Sequence, residues 1–173
     1  ETVQAEGGVN VASLPWLRRL AAICRAHAIV LVVDDIQVGC GRTGPFFSFE
    51  RADITPDVVT LSKSLSGFGT PLSVVLIRPD LDRWAPGEHN GTFRGHNLAF
   101  VTAAAAIERF WSDGALSRDV VRKAALAEAR LCALIEAHPE HVVEHRGVGL
   151  IQGVVFADPA LAVSILTGEG KAF

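Results

Sequence analysis

Apolar and polar residues follow one another along the chain with the periods of both helices and buried strands. Apolar residues recur on one helical face after Ser13, which can cap the helix: Leu17, Leu20, Ile23 and Cys24. A continuous apolar run at residues 28–33 is typical of a strand buried on both faces of a parallel sheet, and residues 57–61 and 72–77 repeat the strand signal. This alternation of helix and strand patterns predicts a layered α/β fold.

The second half of the chain carries longer helical patterns. An alanine-rich run at 98–111 predicts a close-packed helix, residues 112–114 (Ser-Asp-Gly) interrupt it, and a long helix is expected from about 116 to 137. A strand-like segment at 150–156 follows. We expect a domain boundary near Asp113, with one domain over 1–112 and a second over 113–173.

Composition and charge narrow the classes of protein. An apolar fraction of 49% in 173 residues can build a core, and the net charge of −3 offers no basic surface for nucleic acid. No apolar run has the length of a membrane span. Three widely spaced cysteines indicate free thiols in a reducing, cytoplasmic compartment. The chain contains no methionine and both ends, including residues 170–173, are abrupt, so we expect a fragment of a longer protein.

The first candidate chemistry lies at two predicted strand ends. Asp34 follows the apolar run at 28–33, and Lys63 follows the run at 57–61, 29 positions later. A pyridoxal phosphate site needs a carboxylate to keep the ring nitrogen protonated and a lysine amine to form a Schiff base with the aldehyde. Each residue alone is explained as well by a turn cap or a solvated side chain, but together they favour a cofactor site.

A glycine pattern competes with this interpretation. Residues 39–44 (Gly-Cys-Gly-Arg-Thr-Gly) match the G-x-G-x-x-G signature of NAD-type dinucleotide binding. That signature must open a helix, whereas an aromatic stretch without helical periodicity follows here. We favour a glycine-rich turn, in which Asp35 anchors the loop and Arg42 forms structural hydrogen bonds.

Four motifs then indicate a family. Residues 34–44, 61–67, 1–8 and 87–95 resemble, in order and spacing, the cofactor, lysine, upstream glutamate and phosphate-contacting motifs of class III aminotransferases, the ornithine and 4-aminobutyrate type. This resemblance implies a fold type I pyridoxal phosphate-dependent transferase, with part of the large mixed-sheet domain and the start of the C-terminal small α+β domain. It also implies pyridoxal 5'-phosphate as cofactor.

The resemblance assigns roles at the cofactor ring. Asp34 would pair with the ring nitrogen, Ile36 would pack on one ring face, and Gln37 would hydrogen-bond the phenolic oxygen. Lys63 would form the Schiff base and then act as base and acid in proton transfer.

Two further residues receive roles only from the resemblance. Thr92 would donate to the cofactor phosphate of a neighbouring subunit, which implies a homodimer or a higher homo-oligomer. Glu6 would lie near the substrate carboxylate pocket.

Within the family, the Asp-Asp-Ile-Gln run, Cys40 and the motif around Thr92 most resemble enzymes that transfer the amino group of glutamate to aspartate semialdehyde. The alternatives are another ω-aminotransferase, acting on ornithine or 4-aminobutyrate, an NAD-type domain, or an inactive interaction fragment. Three histidines between 138 and 145 could suggest a metal, but a proline interrupts their helical face and no cysteine is near. We expect no metal, and we expect amino acids and oxo acids as substrates.

Overall fold

The computed structural model describes residues 1–92 and 94–162. Position 93 of the predicted phosphate motif and the terminal residues 170–173 lie outside the described residues. The α-helices are α1 (Leu14–Ala26), α2 (Asn97–Phe110) and α3 (Ala115–Ala137). The strands are β1 (Val3–Gln4), β2 (Asn10–Val11), β3 (Val32–Asp34), β4 (Val58–Leu61), β5 (Val74–Ile77), β6 (Val142–Val148) and β7 (Ile151–Phe156). No helix of the described part is long and apolar enough to cross a bilayer.

A mixed three-stranded sheet, in the order β3-β4-β5, contributes to the core of the fold. β3 and β4 are parallel, with Asp34 opposite Thr60, and β5 pairs antiparallel with β4. Buried side chains on this sheet form the core together with the short 3-10 helices that follow the strands: Val33, Phe49, Val59, Leu61 and Leu65. The α/β prediction is therefore confirmed, and the parallel pair brings two carboxyl ends to one edge.

The prediction of a doubly buried strand over 28–33 is wrong. Residue Ala28 has a left-handed backbone (φ 52°), and Ile29 N donates to Cys24 O at 2.8 Å, so this stretch completes the exit from α1. Strand pairing starts only at Val32, whose residue surface is 55% exposed.

The predicted helices are confirmed, with shifts of about one residue at their ends. The Ser13 hydroxyl accepts from Trp16 N at 3.4 Å and caps α1, whose buried face carries Leu17, Ala21 and Cys24. α2 packs through its small residues, and Ala106 lies directly against Gly67, where an added Cβ would collide with it. The alanine-rich sequence is thus explained by close approach to the loop after β4.

The strands β1, β2 and β6 were not predicted from the sequence, and β6 is the longest of them. β6 forms a hairpin with β7, and the tight turn between them lies at Gly149 and Leu150. On the hairpin, Arg146 Nη1 donates to Asn10 Oδ1 at 3.2 Å, so it contacts the β1–β2 segment near the start of the chain. Polar residues within β6 hide its period-two pattern, which is why periodicity alone indicated only β7.

Candidate active site

The two strand-end residues lie at the same edge of the sheet. Asp34 is the last residue of β3, and β4 ends two residues before Lys63. β3 and β4 are parallel neighbours, with Asp34 opposite Thr60. The two segments that follow these strands therefore leave the sheet at the same edge and in the same direction. The topology therefore brings the acid and the amine to one end of the sheet, where open α/β sheets place their ligands.

Asp34 is half-buried and is held by a local turn. Its Oδ1 accepts from Ile36 N at 3.0 Å. The hydrogen bonds described for this carboxylate involve Oδ1 alone, so Oδ2 keeps its acceptor capacity for another group. The turn-cap role weighed from the sequence is real, but it occupies one oxygen and does not exclude a cofactor role.

Lys63 starts a 3-10 helix (Lys63–Ser66) with a strained backbone. Its φ of 48° is left-handed, a conformation that costs a residue with a Cβ about 1–2 kcal/mol. The flanking Ser62 Oγ donates to Leu72 O at 2.7 Å, and Ser66 Oγ accepts from Gly69 N at 3.1 Å. The surrounding hydrogen bonds hold this exposed lysine in a conformation of the kind that functional sites often impose.

A cleft of about 430 Å³ connects three of the predicted site residues. Lys63, Gln37 and Glu6 all line it. Gln37 Nε2 donates to Glu6 Oε1 at 2.9 Å. Since a carboxylate only accepts, this contact fixes which end of the amide faces Glu6 and leaves the second N–H of Gln37 available. Residues 31 positions apart in the sequence thus form one polar surface beside the lysine.

Thr92 lies elsewhere. It is exposed and lines a different cleft of about 550 Å³, together with Ser73 and Arg94. The structure therefore does not bring Thr92 to Lys63 within one chain. Its role, and the ring-packing role of Ile36, stay predictions.

The β6–β7 hairpin adds a wall to the cleft around Lys63 that was not predicted from the sequence. The hairpin contributes three residues to the lining of the cleft: Leu150, Ile151 and Gln152. Arg42, from the glycine-rich loop, lines the cleft beside them. Leu150 N donates to Arg42 O at 2.7 Å, so Arg42 stabilises the hairpin turn through its backbone at the edge of the cleft. The Gly-Val-Gly sequence before Leu150 is the local signal, because it allows a hairpin turn to approach another backbone closely.

The glycine-rich loop does not have the geometry of a dinucleotide site. Arg42 N donates to Gly39 O and Gly44 N donates to Gly41 O, as in successive turns, and the next element is a 3-10 helix at Ser48–Ala52. A Cβ on Gly41 would lie 2.6 Å from the Trp111 ring. The glycines thus serve packing within the loop, as the turn interpretation requires.

Burial changes the acid–base properties of two side chains in and next to this loop, Asp35 and Cys40. Asp35 is 1% exposed and its carboxylate accepts from Ser48 N at 2.9 Å and from Ser48 Oγ, which confirms it as an anchor of the loop. Burial raises the pKa of Asp35, and the two Ser48 hydrogen bonds oppose that rise. Burial also raises the pKa of the Cys40 thiol to about 11, so this cysteine is not a nucleophile at neutral pH.

Comparisons with known proteins show which family the sequence matches. The class III aminotransferase family model matches residues 1–170. A diaminobutyrate–2-oxoglutarate transaminase of Halomonas elongata is 60% identical over 156 residues, 89% of this chain and 37% of that protein. One from Virgibacillus pantothenticus is 51% identical over 95% of this chain and 40% of its own length.

Solved structures show the same fold. The ornithine aminotransferase of Toxoplasma gondii superposes with a TM-score of 0.86 at 33% identity, over 98% of this chain and 41% of that one. The taurine:2-oxoglutarate aminotransferase of Bifidobacterium kashiwanohense, solved in complex with PLP and glutamate, gives a TM-score of 0.81 at 24% identity, over 90% of this chain and 35% of that one. The chain spans about two-fifths of the length of the relatives it matches.

Proposed function

The chain belongs to the class III aminotransferases, and from this we propose that the whole protein transfers the amino group of L-glutamate to L-aspartate 4-semialdehyde. The products are L-2,4-diaminobutyrate and 2-oxoglutarate, a step of ectoine biosynthesis. Class III aminotransferases use pyridoxal 5'-phosphate, and we propose the same cofactor here.

One observation carries the proposal: Asp34 and Lys63 stand at the ends of adjacent parallel strands. The residues fit the cofactor in three respects. One oxygen of Asp34 is uncommitted among the described hydrogen bonds, Lys63 is exposed at a cleft of about 430 Å³, and Gln37 keeps one donor beside it. When bound, pyridoxal phosphate supplies an electron sink for the substrate's Cα.

The protein's own groups hold charge and move protons around that sink. The Asp34 carboxylate would hold a proton on the ring nitrogen by a charge-assisted hydrogen bond. The Lys63 amine would anchor the aldehyde and, once released, would move a proton at the substrate's Cα. The second N–H of Gln37 would donate to the phenolic oxygen.

The cleft around Lys63 is lined by one acidic residue and one further basic residue. Glu6 and Arg42 line the same cleft as Lys63, while the proposed substrates carry carboxylates. We propose that Glu6 lies at the substrate carboxylate pocket, and its hydrogen bond with Gln37 supports this by placing it beside the cofactor groups. Similarity to diaminobutyrate–2-oxoglutarate transaminases at 51–60% identity favours the four-carbon acceptor.

We also propose that the whole protein is a cytoplasmic homodimer or higher homo-oligomer. The separation of Thr92 from the Lys63 cleft supports a role for Thr92 at the cofactor phosphate of a neighbouring subunit. The free thiols of Cys24, Cys40 and Cys132 suit a reducing compartment. Residues 1–112 would belong to the cofactor-binding large domain and residues 113–173 to the C-terminal small domain.

Borohydride reduction of the whole protein, followed by peptide mass spectrometry, tests the cofactor link. We expect the cofactor mass on the peptide holding Lys63. Lys63→Ala should abolish turnover and labelling while retaining part of the cofactor affinity. Lys123→Ala is the matched control, because Lys123 is an exposed lysine paired with Asp119 on α3. Labelling at Lys123, or turnover by Lys63→Ala, would overturn the assignment.

Single-turnover reactions test the substrate. The pyridoxamine form, made with glutamate, should react with aspartate semialdehyde faster than with the semialdehydes that correspond to ornithine and 4-aminobutyrate. A preference for the ornithine product would move the protein to the function of its Toxoplasma structural neighbour.

A further inference from the structure

We propose that Asp35 is a positioning residue that holds the Asp34 carboxylate in the orientation its cofactor role requires. This inference rests on the proposed function. It concerns the buried hydrogen-bond chain formed by Thr2, Ser48 and Asp35, which the proposed chemistry does not use directly.

Every polar part of Asp35 is engaged. Its backbone N donates to Thr60 O at 3.0 Å, which continues the β3–β4 pairing one residue beyond Asp34. Its carbonyl accepts from Gly39 N at 3.0 Å, and its carboxylate accepts from Ser48 N and Ser48 Oγ. Three separate segments of the chain thus fix one residue, so Asp35 has little freedom to move.

This fixation reaches Asp34 through a single peptide unit. Ile36 N, the atom that follows Asp35, donates to Asp34 Oδ1 at 3.0 Å. The position of that N–H depends on the Asp35 backbone, so anchoring Asp35 sets the direction of the Asp34 carboxylate. The oxygen left over, Oδ2, then points the same way in every molecule without an entropy loss when the cofactor binds.

The hydrogen bonds of Ser48 also extend to the N-terminal segment that carries Glu6. Thr2 Oγ1 donates to Ser48 Oγ at 2.6 Å, and Thr2 is 2% exposed, directly before β1. Thr2 O in turn accepts from Ala12 N at 3.0 Å after β2. Ser48 therefore receives one hydrogen bond and donates another, and it connects the Asp34 turn to the segment in which Glu6 meets Gln37.

The backbone next to Asp35 leaves little room for an alternative packing. A Cβ on Gly39 would lie 2.8 Å from Asp35 O and 3.1 Å from Asp35 Oδ2. The backbone of residue 39 therefore lies against both the carbonyl and the carboxylate. This close approach explains the first glycine of the loop without a nucleotide.

The test compares Asp35→Asn with a matched control, Glu50→Gln, in the whole protein loaded with pyridoxal phosphate labelled with ¹⁵N at the ring nitrogen. Glu50 is an exposed carboxylate of the same loop that accepts from Phe47 N at 2.7 Å, and its described hydrogen bonds do not reach the Asp34 turn. Asp35→Asn keeps the size of the side chain and replaces one acceptor oxygen by a donor.

We expect the ¹⁵N signal to move toward that of an unprotonated pyridine in Asp35→Asn and to stay unchanged in Glu50→Gln. The half-reaction with glutamate should slow by about 10- to 100-fold in Asp35→Asn, the range seen when a hydrogen-bond partner that orients a metal ligand is lost. In an Asp34→Asn background, the further change Asp35→Asn should slow it less than about twofold, since the two residues act as a unit.

Additive losses in this cycle, or an unchanged ¹⁵N signal, would overturn the positioning role. If Asp35→Asn does not fold, Ser48→Ala takes its place in the same cycle, because it removes the hydroxyl and keeps the backbone donor. Wild-type protein without cofactor on Lys63 would instead contradict the proposed function, so the two failures are distinguishable.

Discussion

The hairpin turn at Gly149 gives the sharpest prediction about stability, through the change Gly149→Ala. A Cβ there would lie 2.6 Å from Thr43 Cα and closer still to Arg42 O, and the residue has a left-handed φ of 63°. The atoms it would meet are backbone atoms, which cannot turn away as a long side chain can. The hairpin must therefore shift away from the loop that carries Arg42.

Two costs combine in this variant. The left-handed backbone costs an alanine about 1–2 kcal/mol. Overpacking against fixed backbone adds typically about 1–3 kcal/mol. We therefore expect the free energy of unfolding to fall by about 2–5 kcal/mol. The shift should also break the hydrogen bond from Leu150 N to Arg42 O and widen the cleft, so the KM for the oxo acid should rise more than kcat falls.

Urea unfolding of the whole protein, followed by circular dichroism, measures the loss. The matched control is Gly69→Ala, because Gly69 also has a left-handed φ of 92° but a Cβ there would meet no described atom within 4 Å. This control should lose only the backbone part, about 1–2 kcal/mol. If Gly149→Ala is no less stable than Gly69→Ala, the close approach of the hairpin to Arg42 is not a feature of the folded protein.

Three other predictions concern single side chains. Asp34→Asn should leave the fold intact and slow the half-reaction with glutamate by orders of magnitude, measured by stopped-flow absorbance; an unchanged rate would make Asp34 only a turn cap. Burial raises the pKa of Asp35 above its ordinary value of 3.8 in the folded state, so its stability contribution is complete below 3.8 and is lost as pH rises through the folded pKa. The side chain of Asp35→Asn does not titrate, so the variant serves as the reference. The unfolding free energy of wild type minus that of Asp35→Asn should therefore fall as pH rises from 3.8 through the folded pKa of Asp35. A rise would show that the Ser48 hydrogen bonds outweigh burial. Ser13→Ala removes the cap of α1 and should cost about 1 kcal/mol in urea unfolding, whereas Ser112→Ala, at an exposed position between helices, should cost less.

The sequence by itself determined the elements whose signals are local. Ser13 and the apolar face that follows it define α1, and the alanine-rich run defines α2, because both depend on contacts within a few residues along one helix. The motif around Asp34 and the motif around Lys63 indicated the chemistry for a related reason. We expect their residue types and spacing to reflect the groups that the proposed cofactor needs, whatever surrounds them.

The tertiary structure decided which residues meet. The extent of β3 could not be predicted, because the first residues of the apolar run, Ala28 and Ile29, hydrogen-bond back to the end of α1 through backbone contacts that hydrophobicity does not encode. The contact of Glu6 with Gln37 and the hydrogen bonds from Thr2 through Ser48 to Asp35 join residues 13 to 46 positions apart in the sequence. Such contacts depend on how strands and turns pack in three dimensions, and the hairpin wall at Leu150 is present at the cleft only because Gly149 lets two backbones touch.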